Sequence, residues 1–116
     1  MVDYQWGIFW ADLDPSKGSE QAGKRQVLVV SIEEVNQALP IVTVLSVTTA
    51  KPGRKVYPTE IFLSVKDSGL SKDSIVMSHQ IRAISKDRLA GKCGCISNES
   101  IKEQVRGALK SYLDLK

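Results

Sequence analysis

Histidine, cysteine and aromatic side chains are scarce in this chain. Of 116 residues one is histidine, two are cysteine, and Phe, Trp and Tyr together make 6%. With a single histidine, His79, and a Cys-x-Cys pair, Cys93 and Cys95, the chain has no obvious ligand set for a zinc centre. Two cysteines on one strand at this spacing stand with Cα atoms ~6.6 Å apart, at the far end of disulfide reach. They read as small buried or half-buried thiols in a reducing compartment. No run approaches ~18 apolar residues, so no membrane span is expected. The opening stretch MVDYQWGIFW has no basic region followed by an apolar one, so it is not a signal peptide, and a cytoplasmic location is expected. Charge of one sign is also in short supply. Sixteen Lys and Arg against 13 Asp and Glu give +3, which permits a polyanionic partner without announcing one.

What is present suits one domain spanning residues 1–116, with 42% apolar and 25% charged residues. WGIFWADL reads as a strand with Trp6, Ile8 and Trp10 on one buried face. DPSKGSEQAGK (14–24) is loop chemistry, long for a hairpin, and long loops in small domains tend to be functional. Asp12 and Asp14 read as turn formers. QVLVVS (26–31) reads as a buried strand. SIEEVNQ predicts a short helix with Ser31 as N-cap and Glu34 completing a capping box. Pro40 precedes a strand, IVTVLSVTT. Tyr57 to Val65 predicts another, followed by a polar turn. Ile75 to Ile84 predicts a further strand, with Ser85 capping a single turn, KDRL. KCGCI is a last short strand. Ile101, Val105, Ala108, Leu109, Tyr112 and Leu113 repeat with helical spacing, so the tail predicts an amphipathic helix capped by Ser97 or Asn98. The fold class expected is mainly β with a C-terminal helix, the sheet curling into a small barrel.

WADLDPSKGSEQAGKRQVLVVS, TVLSVTT, GLSKDSIVMSHQIRAISKDRL and GCISNESIKEQVRGAL occur in this order. Together they resemble the MazF/PemK/Kid toxins of type II toxin–antitoxin modules, from about Trp6 to Leu113. The resemblance implies an SH3-like, CcdB-type barrel and a homodimer. It implies metal-independent, sequence-specific cleavage of single-stranded mRNA, with no cofactor, to inhibit translation and growth. The products would carry a 2′,3′-cyclic phosphate and a 5′-OH. It also implies inhibition by an antitoxin whose acidic C-terminal segment covers the RNA groove. CcdB toxins poison gyrase on the same fold, so a gyrase poison is one rival reading. A catalytically impaired RNA-binding relative is another.

Arg25 is the first catalytic candidate. A guanidinium offers bidentate donors to a phosphate and keeps its charge, and the position matches the family's catalytic-site arginine. Thr48 matches a hydroxyl that contacts the scissile phosphate, with Thr49 its closest rival. His79 stands where Kid-type members carry Asp and others Glu. Imidazole suits proton transfer near neutral pH. Strict alternation, however, sets His79 beside Ile75, Met77 and Ile81 on an apolar face. It is therefore either a buried side chain or a group that moves a proton or contacts a base.

Met77 occupies the slot of an arginine in Kid-type members, so the acid–base pair does not carry over directly. Ser19 stands where some members have His, and Gln26 replaces a proline. Ser19, Glu20 and Gln21 are expected to contact RNA from a flap over Pro15 to Lys24. Lys24 and Lys51, with Lys17, Arg54 and Lys55, are candidate groove cations that position a strand without reading it. Gln80 and Arg82 complete the Q-I-R run, with RNA contact and a structural or dimer role both open. Trp10 matches a family tryptophan and reads as core rather than as a base-stacking platform.

Overall fold

The structure, a computed structural model, describes residues 2–14, 17–18 and 23–116. Six strands are present: β1 (Gly7–Asp12), β2 (Lys24–Val29), β3 (Ile41–Thr49), β4 (Glu60–Leu63), β5 (Ser74–Ser85) and β6 (Leu89–Cys95). All pair antiparallel in one sheet of order β4-β5-β3-β2-β1-β6. Among the described residues no ladder joins the edge strands β4 and β6, so the hydrogen bonding does not close the expected barrel. Helix α3 (Glu99–Tyr112) packs on β4 and β5, and the short α2 (Val65–Ser68) on β6.

The α3 spacing seen in the sequence is realised as far as Leu109, whereas Tyr112 and Leu113 are exposed at the end of the helix. Ile101, Val105 and Ala108 are buried, and Asn98 Oδ1 accepts from the Ser100 N–H at 2.9 Å. They join Ile8, Leu28, Leu45, Val47, Leu63 and Val76 in a core on one face of the sheet. The opposite face is buried too, by Phe9, Ala11, Leu13, Val27, Val29, Val42, Val44 and Ile84. Burial on both faces is why β2 carries an unbroken apolar run rather than an alternating one.

Several expectations are corrected. Helix α1 (Glu33–Ala38) has Ile32 at its N-cap, without a side-chain cap. Ser31 is committed elsewhere: its Oγ donates to Asn36 Oδ1 at 2.5 Å and accepts from the Thr43 N–H at 2.9 Å. The strand expected from Tyr57 to Val65 is only β4. The Glu60 N–H donates to the Tyr57 carbonyl at 2.8 Å, turning the chain before it. Ser64 ends it by capping α2 through the Asp67 N–H at 3.1 Å. Helix α2 replaces part of the expected polar turn. It stops at Gly69, whose φ of 74° suits a residue without Cβ.

The largest irregularity lies in β5. Val44 pairs with Arg82, but Ser46 pairs with Met77. Residues 78–81 therefore stand against Leu45 alone, a wide bulge that breaks the alternation of the strand.

Candidate functional site

The ladder sets the site. Trp10 pairs with Gln26, and Gln26 with Val47. In antiparallel register the next residues on β2 and β3 are Arg25 and Thr48, which puts the two side by side at the sheet's end. Both line a recess of about 310 Å³ together with Trp10, Lys24, Gln26, Val47, Thr49 and Lys51. Arg25, Lys24 and Lys51 are exposed and Thr48 is half-buried, so cations surround a hydroxyl at an open mouth. Five of the sequence candidates are thereby brought together: Arg25, Thr48, Lys24, Thr49 and Lys51.

The loop entering β2 is tied at its base. The Leu13 N–H donates to the Gly23 carbonyl at 2.9 Å. Asp12 and Asp14 are turn formers, as expected: Asp12 Oδ1 accepts from the Asp14 N–H at 3.1 Å and Asp14 Oδ1 from the Gly23 N–H at 2.9 Å. Arg88 adds a brace that sequence reasoning missed. Its Nη1 donates to the carbonyls of Asp12 at 3.0 Å and Asp14 at 2.5 Å. Only its place in the capped KDRL turn, where Ser85 Oγ does accept from the Asp87 N–H, hinted at it. Ser19, Glu20 and Gln21 lie outside the described residues.

Trp10 is not core. It shares a sheet face with Ile8 and Leu28, but α3 covers the end near Trp6, where Lys102 and Arg106 lie over the Trp6 ring at 5.6 Å and 5.3 Å. Trp10, at the other end, is 46% exposed. The signal for this was its place just before the D-x-D turn, at the strand end away from Trp6.

His79 is not buried either. The bulge turns it outward, and its Nδ1 lies 3.0 Å from Thr59 Oγ1. It does not line the recess of Arg25 and Thr48. Thr48 pairs with Ile75, and His79 lies four residues further along β5, inside the bulge. Gln80 and Arg82 belong to the same segment and are half-buried. Arg82 Nη1, Ser78 Oγ and Ser46 Oγ are buried without a hydrogen-bond partner among the described residues. Met77 is core at 5% exposure.

Arg54 does not line the recess of Arg25 and Thr48. Its Nη1 and Nη2 donate to the two Glu60 carboxylate oxygens at 3.0 and 2.8 Å. Lys55 lies 5.6 Å from the Tyr57 ring centre. The cysteines are free, Cys93 half-buried and Cys95 exposed. Burial pushes the Cys93 thiol up, beyond what the Gln26 side chain, 3.8 Å away, draws back. Among the described residues no three His, Cys, Asp or Glu cluster, and no helix is long and apolar enough to cross a membrane.

The fold and the recess define a small antiparallel protein with three cationic side chains, Lys24, Arg25 and Lys51, grouped at the end of β2 and β3. The family model for the PemK-like, MazF-like toxin of type II toxin–antitoxin systems matches residues 4–113, and the chain belongs to that family. It is 34% identical over 115 residues to Endoribonuclease EndoA of Bacillus subtilis (strain 168), covering 99% of this chain and 97% of the relative. The crystal structure of MazF from Deinococcus radiodurans superposes with a TM-score of 0.80 at 26% identity, over 99% of each chain. The structure of MazE-MazF from the same organism gives 0.76 at 25% identity, over 100% of each.

Proposed function

We propose that this chain is a metal-independent endoribonuclease that cuts single-stranded mRNA at short sequences, the toxin of a toxin–antitoxin pair. The observation that carries the reading is Arg25 beside Thr48 in one cationic recess. Cleavage begins when the 2′ oxygen next to the scissile phosphate attacks phosphorus. The P–O2′ bond forms and the P–O5′ bond breaks, while the 2′ proton passes to solvent water and water returns one to the leaving 5′ oxygen. The products are a 2′,3′-cyclic phosphate and a 5′-OH. Charge grows on the non-bridging oxygens, where a fixed guanidinium stabilises it most. Arg25 takes that role, and the Thr48 hydroxyl donates to a second oxygen. His79, well along β5 and held by Thr59, contacts RNA rather than exchanging protons in this recess. Gln80 and Arg82 contact RNA on the same segment, and Ser19, Glu20 and Gln21 do so from the flap.

The family resemblance supports the remaining parts of the reading. The chain acts in the cytoplasm as a homodimer. Its partner is an antitoxin whose acidic C-terminal segment covers Lys24, Arg25 and Lys51. The test is purified protein with RNA in EDTA, followed by mapping of 5′ ends. New 5′-OH ends are expected from the natural chain, with a loss of about 100-fold or more in Arg25→Ala, the scale of a removed oxyanion donor. A gyrase poison would leave RNA whole, and an inactive relative would bind RNA without making ends.

A further inference from the structure

A second recess, of about 200 Å³, adjoins the first and shares Trp10, Gln26 and Thr49 with it; Leu70, Lys72 and Ser74 are among its other walls. Its walls are held in place. Leu70 is 4% exposed, and its N–H donates to Ser68 Oγ at 3.0 Å. Ser74 Oγ donates to the Lys72 carbonyl at 3.0 Å, fixing the turn that carries the ammonium. An indole that folding leaves half uncovered thus shares a recess with Leu70, among the polar side chains of Gln26, Thr49, Ser71 and Ser74, with a cation at the rim.

A planar, uncharged ring attached to a phosphate fits this arrangement. Aromatic platforms take a nucleobase by its π-face, whichever base it is, while cations follow the backbone. Resting on the ribonuclease reading, we infer that the recess between Trp10 and Leu70 is a nucleobase subsite. It holds the base next to the phosphate gripped by Arg25 and Thr48, and Lys72 meets the following phosphate. Trp10 then sets where the strand lies relative to Arg25, with little preference among bases.

The test uses the full chain and an RNA oligonucleotide with a 2′-deoxy sugar at the scissile position, so that it binds uncut. Trp10→Ala is expected to weaken binding about tenfold, and Trp10→Phe to restore most of it. Two further oligonucleotides each lack one base beside the scissile phosphate. One of them is expected to bind the natural chain about tenfold more weakly, and to bind Trp10→Ala no more weakly than the intact RNA does. Lys72→Ala is expected to lower the salt slope of binding by about one. Losses from Trp10→Ala and from base removal that multiply independently would overturn the subsite. So would a Trp10→Ala loss confined to an acidic peptide, which would give the recess to a protein partner. A chain that cuts RNA yet fails this cycle loses only the subsite, whereas one that neither binds nor cuts RNA loses the ribonuclease reading as well.

Discussion

Glu60 holds Arg54 through both carboxylate oxygens, and the Glu60 side chain is only 2% exposed. The same carboxylate accepts the Tyr57 N–H at 3.1 Å, and Arg54 lies 5.9 Å from the Tyr57 ring centre. One anion thus closes the segment from Arg54 to Glu60, which carries Thr59 and through it His79. The Arg54 guanidinium draws the Glu60 carboxyl below its usual range, against the effect of burial. Its contribution is therefore complete above the unfolded carboxylate range and is lost as pH falls through the lowered folded value. Glu60→Gln is expected to lower Tm by about 5 °C at neutral pH. The gap from the natural chain should narrow in acid. A Tm gap that held constant down to pH 2 would show that the pair contributes nothing through charge.

Glu33, at the start of α1, gives a second pH-dependent contribution. Burial would raise its pKa. Hydrogen bonds from the Gln5 and Tyr4 N–H groups and from Gln37 and Asn36 instead bring it to about 2, from 4.5. The depressed value means the contribution is present above pH 4.5 and is lost as pH falls toward 2. Glu33→Gln should flatten the stability profile across that window and loosen the segment around Tyr4. Hydrogen exchange at the Tyr4 and Gln5 amides reads the loosening directly.

Gly94 is packed too closely for any side chain. A Cβ there would stand 2.5 Å from the Ser68 carbonyl oxygen and 3.0 Å from Leu70 Cδ2. Gly94→Ala is expected to destabilise by about 1–3 kcal/mol in denaturant titration. Gly91→Ala, on the same strand with nothing within 4 Å of its added Cβ, is the control. It should be neutral or stabilising by up to about 1 kcal/mol.

His79→Ala separates the two roles left open by the sequence. With the imidazole outside the recess, KM is expected to rise about tenfold while kcat stays within about threefold. A kcat loss near 100-fold in folded protein would make His79 a proton-transfer group, contrary to its assignment here.

The legible parts of this chain are those where one rule acts alone. Ile101, Val105 and Ala108 announced α3 because a surface helix needs one apolar stripe. Arg25 and Thr48 were found because their segments resemble the family's, and the ladder then showed why they meet. Trp10 was misread because parity names a face of the sheet but not how far the covering helix extends along it. His79 stayed undecided because alternation fails where one strand holds more residues than its partner, which no local pattern announces. Helix α2 was missed because its four residues are set by Ser64 and Gly69 at its ends rather than by any apolar stripe.

The surplus in β5 has an evolutionary corollary. Ser78, His79, Gln80 and Ile81 answer to a single residue on β3, so the pairing on that side does not depend on their identity. Exchanges at His79 and Gln80 can alter what the protein offers a ligand while the neighbouring hydrogen-bond ladder stays in step. A scaffold with such slack can diversify its choice of target without first becoming unstable.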